Sequence, residues 1–209
     1  MDRRDFMTGT AATIPAVVGL QMLGQRFAFA QGADFANDVE VLNYALTLEY
    51  LESEFYRQGN EAGLLKGKEA QYLETIGADE DAHVAAITDT INKIGGTPVE
   101  APAVDFADAF SNRESYLKTS RTFENLGVQA YLGAAGFIKD KAILQAAAGI
   151  FGVEARHAAV VGNLLGLEPE GGVYMGATET PLSKDEVLAA AQPFLAGASS
   201  MSGGAAVTK

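Results

Sequence analysis

The chain has 209 residues, 48% of them hydrophobic, and a formal charge of −12; that length suits one domain with appendages, and that composition is enough for a core without staples. It contains no cysteine, which excludes disulfides, thiolate zinc sites, iron–sulfur clusters and cysteine nucleophiles. The acidic balance argues against nucleic acid and anionic membranes as partners, since both select Lys/Arg patches.

The first thirty residues read as an address. Arg3 and Arg4 precede a weakly apolar stretch from Thr8 to Leu23, rich in Gly, Thr and Ala and interrupted by Pro15. It is shorter than the roughly 20 apolar residues a membrane span needs. Ala28–Phe29–Ala30 fits a small-x-small cleavage pattern, with Gln31 as the expected new N-terminus. The arrangement over 1–30 resembles a twin-arginine signal peptide. That resemblance implies export of an already folded protein by the twin-arginine export machinery, to the periplasm or an otherwise exported location. Cleavage removes three arginines and two aspartates and takes the charge to −13.

Four segments then carry apolar residues at helical spacing. The first runs from about Asp34 to Gln58, with Val39, Leu42, Leu46, Phe55 and Tyr56 among its apolar positions, and is expected to end at Gly59–Asn60 and Gly63. The second runs from about Lys68 to Ile94 and stops at Gly95–Gly96–Thr97–Pro98. The third starts near Asn112, an N-cap with Ser115 close by, and continues to about Ala135. The fourth spans about Lys139 to Leu165, stopped by Gly166 and Pro169. The connections are short, long and short, which is the connectivity of a four-helix bundle with one long crossover. The expected architecture is therefore all-α, with the bundle over 34–166. A C-terminal extension over 167–196 holds a short helix from Leu182 to Leu195, opened by a Ser183/Glu186 capping box. The Gly/Ser/Ala tail over 197–209 is expected to be disordered.

The two helical hairpins look like copies. Ile76 to His83 parallels Ile150 to His157 at a displacement of 74, and Glu49 and Tyr56 stand 75 positions before Glu124 and Tyr131. Both histidines have a glutamate three residues earlier, Glu80 before His83 and Glu154 before His157. Chance gives that coincidence roughly 0.6% of the time, treating positions as independent. The i, i+3 spacing puts each pair on one helix face, and that face is otherwise apolar. Leu73, Ile76, Val84 and Ile87 surround the first pair; Ile150, Ala158 and Val161 surround the second. Ionisable groups inside an inward stripe need a partner, because an unpaired buried charge is very costly.

The other two helices offer one inward acid each. Glu124 shares its face with Leu117, Val128 and Tyr131, although Arg121 one turn earlier is an alternative partner for it. On the first helix Glu49 and Glu52 compete, and Glu49 is preferred because it alone reproduces the Glu-to-Tyr spacing of the third helix. The metal-ligand candidates are thus Glu49, Glu80, His83, Glu124, Glu154 and His157. Four carboxylates and two neutral imidazoles carry a charge that two divalent ions cancel. The donor set suits iron ahead of manganese, with zinc also compatible. Tyr56 and Tyr131 have two readings: catalytic residues that orient ligands or donate electrons, or core-filling aromatics whose hydroxyls find a partner.

Through these six residues the stretch from about Asp34 to Leu165 resembles the ferritin-like superfamily, whose bundles hold di-iron or di-manganese centres in this constellation. Leu48–Glu49–Tyr50–Leu51–Glu52, with the export signal, is more specifically similar to bacterial exported ferritin-like domain proteins, some of them desiccation-associated. The resemblance implies Glu80 and Glu154 as bridging ligands and Glu49 and Glu124 as terminal ones. It implies a peroxidase, catalase or ferroxidase type of activity on a small oxidant such as peroxide or oxygen, in oxidative-stress or metal redox chemistry. The C-terminal extension and the signal depart from cage-forming ferritins, so storage in a shell is not expected; a homodimer is the assembly allowed for. A non-catalytic metal-binding stress or desiccation-associated structural protein is the alternative, and an interaction module that has lost the chemistry is disfavoured because all six ligands are present.

Overall fold

Helical periodicity and capping chemistry account for the elements one by one. The structure, a computed structural model, describes residues 35–196; the signal expected over 1–30 and the tail expected over 197–209 lie outside the described residues. Helix α1 is Asp38–Glu61, with the Asn37 side chain accepting from the Glu40 N–H. Helix α2 is Lys68–Lys93. Helix α3 is Arg113–Ala134, opened by a reciprocal capping box between Asn112 and Ser115. Helix α4 is Lys141–Leu164, with Asp140 capping Ala142 and Ile143. Each cap satisfies backbone N–H groups that the first turn leaves without partners.

The first helix differs from its sequence expectation at both ends. It starts at Asp38, behind the Asn37 cap, rather than at Asp34, and it runs through Gly59 and Asn60 instead of stopping there. Gly59 is a contact residue, not a terminator: a Cβ on it would lie 2.3 Å from the ring of Tyr116 on α3. The stop is Gly63, whose φ of +63° suits a residue without a side chain.

The helices pack as two hairpins, α1 with α2 and α3 with α4, closed by contacts of α1 with α3 and of α2 with α4. The long connection between α2 and α3 runs the length of the bundle. Near its start Asn43 of α1 donates to the Thr97 carbonyl and accepts from Val99 N–H, at 3.0 and 2.8 Å. Further on, Phe106 and Phe110 pack on Phe55 with ring centroids 5.3 and 5.2 Å away, joined by Tyr116 and Phe123. These rings close one end of the bundle, and each fully buried one contributes on the order of 1.5–3 kcal/mol.

The short helix α5, Lys184–Ala191, begins at the Ser183/Glu186 capping box read from the sequence and packs on α3. Pro193 shortens it, since the chain continues as a 3₁₀ turn over Gln192–Phe194. A two-residue antiparallel bridge then joins Val104 in the crossover to Leu195, so the C-terminal extension straps the crossover onto the bundle.

Candidate metal centre

The apolar inner faces of the four long helices are interrupted at one level by carboxylates and imidazoles. Glu80, Glu124 and Glu154 are fully buried, Glu49 is 1% exposed, and His83 and His157 are 8% and 6% exposed. They form two groups of converging ligand atoms: Glu49, Glu80, His83 and Glu154, and Glu80, Glu124, Glu154 and His157. Glu80 and Glu154 belong to both. The six residues expected from the sequence are therefore brought together, with the two Glu-x-x-His glutamates in the shared position.

The spacing of the donors suits a cation between them. His83 Nδ1 faces Glu80 Oε2 at 3.0 Å, Glu49 Oε2 at 3.2 Å and Glu154 Oε1 at 3.2 Å. His157 Nδ1 faces Glu80 Oε1 at 2.9 Å and Glu124 Oε2 at 3.2 Å. One ring proton cannot serve several oxygens in different directions. A cation between them can: with metal–ligand bonds of about 2.1 Å, adjacent ligands at right angles lie about 3.0 Å apart. Six buried polar atoms here lack a hydrogen-bond partner, namely Glu49 Oε2, Glu80 Oε1, Glu124 Oε2, both oxygens of Glu154 and His157 Nδ1. Buried polar atoms are rarely left so, and these are the atoms a metal pair would take. The residues fit the group.

The charges answer to burial and to one another. Burial works against a charged His83, but the facing carboxylates of Glu154, Glu49 and Glu80 overcome it and push the imidazole up to about 12. Burial opposes His157 in the same way, and Glu124 and Glu80 push it up to about 11. Burial also raises Glu49, to about 7, and Glu154 well above the usual carboxylate range. Glu80 resists its burial because both imidazoles face it, and it is held below the usual range. Without metal, the protons on the histidines are the counter-charge.

The tyrosines exchange partners across the bundle. Tyr56 of α1 donates to Glu124 of α3, and Tyr131 of α3 donates to Glu49 of α1. Each hydroxyl thus holds the carboxylate oxygen turned away from the imidazoles, and Tyr56 also meets Ser120 Oγ at 2.6 Å. Glu52 is buried at 4% exposure, outside both ligand groups. Arg121, the alternative partner for Glu124, instead donates to the Gly172 carbonyl at 2.5 Å.

Three supporting residues escaped the sequence reading. Asp79 Oδ2 lies 3.1 Å from His157 Nε2 and orients that ring. Ser120 supports Tyr56. Gly127 makes room, since a Cβ on it would lie 2.7 Å from Glu154 Oε2 and 3.5 Å from Glu52 Oε1. The one available signal was alignment of the two halves, which sets Gly127 opposite Glu52.

Residues 37–167 match the family model described as a ferritin-like domain. No curated protein matches the chain. Among solved structures the chain is similar to a hypothetical protein from Methanococcus jannaschii DSM 2661, at 15% identity and a TM-score of 0.53, over 74% of this chain and 91% of that one. A likeness at that identity speaks for the fold alone.

Proposed function

We propose, on the premise that the chain belongs to the ferritin-like domain family, that it binds a dinuclear iron or manganese centre and uses it for redox chemistry with peroxide or oxygen. The observation that carries the dinuclear reading is the pair of donor groups sharing Glu80 and Glu154. Held by these six residues, such a pair would supply, at one electron per ion, the two electrons that with two protons turn hydrogen peroxide into two waters. The chain's own residues hold and screen. Glu49 and Glu124 are terminal donors kept in orientation by Tyr131 and Tyr56, and the buried walls exclude bulk water. Iron is preferred over manganese from the carboxylate–imidazole set, and zinc is compatible with it.

The arginine pair and cleavage pattern of 1–30 support a periplasmic or otherwise exported working location. A non-catalytic reading, in which the ions neutralise the carboxylates and lock the bundle, is favoured by one observation: every ligand carboxylate is at most 1% exposed.

Elemental analysis of the purified protein, beside a His83→Ala/Glu154→Ala variant, tests the centre. The expected result is about two equivalents of iron or manganese, lost in the variant. Wild type that stays metal-free in the presence of iron, manganese and zinc would overturn it. Peroxide consumption by the loaded protein no faster than by free metal would leave the structural reading standing.

A further inference from the structure

The duplication permits a comparison of the two halves of the centre, position by position. Glu49 and Glu124, Tyr56 and Tyr131, Glu80 and Glu154, and His83 and His157 are equivalent. Three equivalences are broken, and the first two breaks point the same way. Asp79, which backs His157, corresponds to Val153, which offers His83 no acceptor. Ser120, which backs Tyr56 and through it Glu124, corresponds to Ala45. Glu52 corresponds to Gly127, one turn on from Glu124.

The last break brings a further carboxylate beside the shared Glu154. Glu154 Oε2 is buried, has no hydrogen-bond partner, and points into the space that Gly127 leaves by lacking a side chain. Glu52 reaches that space from α1, with Oε1 3.5 Å from where a Gly127 Cβ would be. Ala45, in the place equivalent to Ser120, instead lines an apolar cavity of about 50 Å³ with Leu48, Ile87 and Tyr131.

We propose that the two metal positions are unequal by construction: the Glu124/His157 position, supported by Asp79 and Ser120, holds its ion tightly, and the Glu49/His83 position is the exchangeable one. Glu52, admitted by Gly127, stands outside both donor groups beside the shared Glu154. An oriented imidazole strengthens the hold on a cation, and loss of such supporting groups typically lowers metal affinity about 10–100-fold. The inference rests on the dinuclear reading above.

Calorimetric titration of the metal-free full chain with manganese(II) is the test. Wild type is expected to bind two ions in steps at least about tenfold apart. Asp79→Ala should weaken the tighter step by about 10–100-fold and leave the weaker step within about threefold. Val153→Asp, which supplies behind His83 the acceptor that Asp79 supplies behind His157, should tighten the weaker step and bring the two together. Two ions bound with equal affinity, or losses that fall on the weaker step, would overturn the asymmetry while leaving the dinuclear centre intact. Binding of no ion would overturn the dinuclear reading itself. Asp79 is half-exposed, so helix content by circular dichroism should be unchanged; the Val153→Asp arm decides the matter if Asp79→Ala fails to fold.

Discussion

Loading the centre should expel protons, and the number follows from the charges the site holds without ions. His83 and His157, pushed up to about 12 and about 11, both carry a proton at pH 7, and a metal-bound imidazole must be neutral. Glu49, raised to about 7, is half protonated there, and Glu154 lies well above the usual range. Two imidazoles and about half of Glu49 amount to roughly two to three protons per pair of ions, and Glu154, raised in the same direction, adds to that release. The product of the two binding constants should then rise by at least about two decades per pH unit near neutrality. The metal-free fold behaves oppositely. A histidine raised from 6.5 stabilises fully below 6.5 and loses that contribution as pH climbs towards 11–12. A carboxyl raised from 4.5 to about 7, as for Glu49, loses its contribution across that interval. The metal-free melting temperature should therefore fall between about pH 5 and pH 9 while metal affinity climbs. Titrations with manganese(II) in buffers of different ionisation enthalpy count the protons directly. Release of fewer than about one proton, or a metal-free melting temperature that rises with pH, would refute the assignment of charged imidazoles facing buried carboxylates.

Tyr131→Phe removes the donor to the outer oxygen of Glu49, and Tyr56→Phe does the same for Glu124. Each should cost about 1–3 kcal/mol in urea unfolding of the loaded protein, because a buried carboxylate oxygen loses its partner; a change under about 0.5 kcal/mol would deny the tyrosines a positioning role. Gly127→Ala places a methyl 2.7 Å from Glu154 Oε2, so the shared carboxylate must move. Elemental analysis should show at least one ion lost per chain with helix content unchanged, whereas retention of both would mean that α3 gives way instead.

The preference for Glu49 over Glu52 as a ligand came from the duplicated Glu-to-Tyr spacing alone; in the fold Glu49 converges on His83 and Glu52 stands outside both donor groups. The spacing was informative for a reason other than the one suggested by a single helix. Glu49 and Tyr56 do not pair within α1; each meets the member of the other half. An antiparallel approach of α1 and α3 converts a repeated interval along the chain into reciprocal bonds across it. Arg121 shows the converse, since its proximity to Glu124 along the helix led nowhere once the C-terminal extension offered it a carbonyl.

Periodicity, capping residues and the doubled Glu-x-x-His are local properties, so the sequence by itself determined four helices, their inward faces and the residue types gathered on them. Which oxygen faces which nitrogen, why Glu52 is buried, and that Asp79 and Gly127 belong to the centre at all depend on the register between helices. That register is set by packing far from the ligands, where the crossover rings lock onto Phe55 and Tyr116, and a shift of one turn there would separate every donor pair described while leaving each helix unchanged.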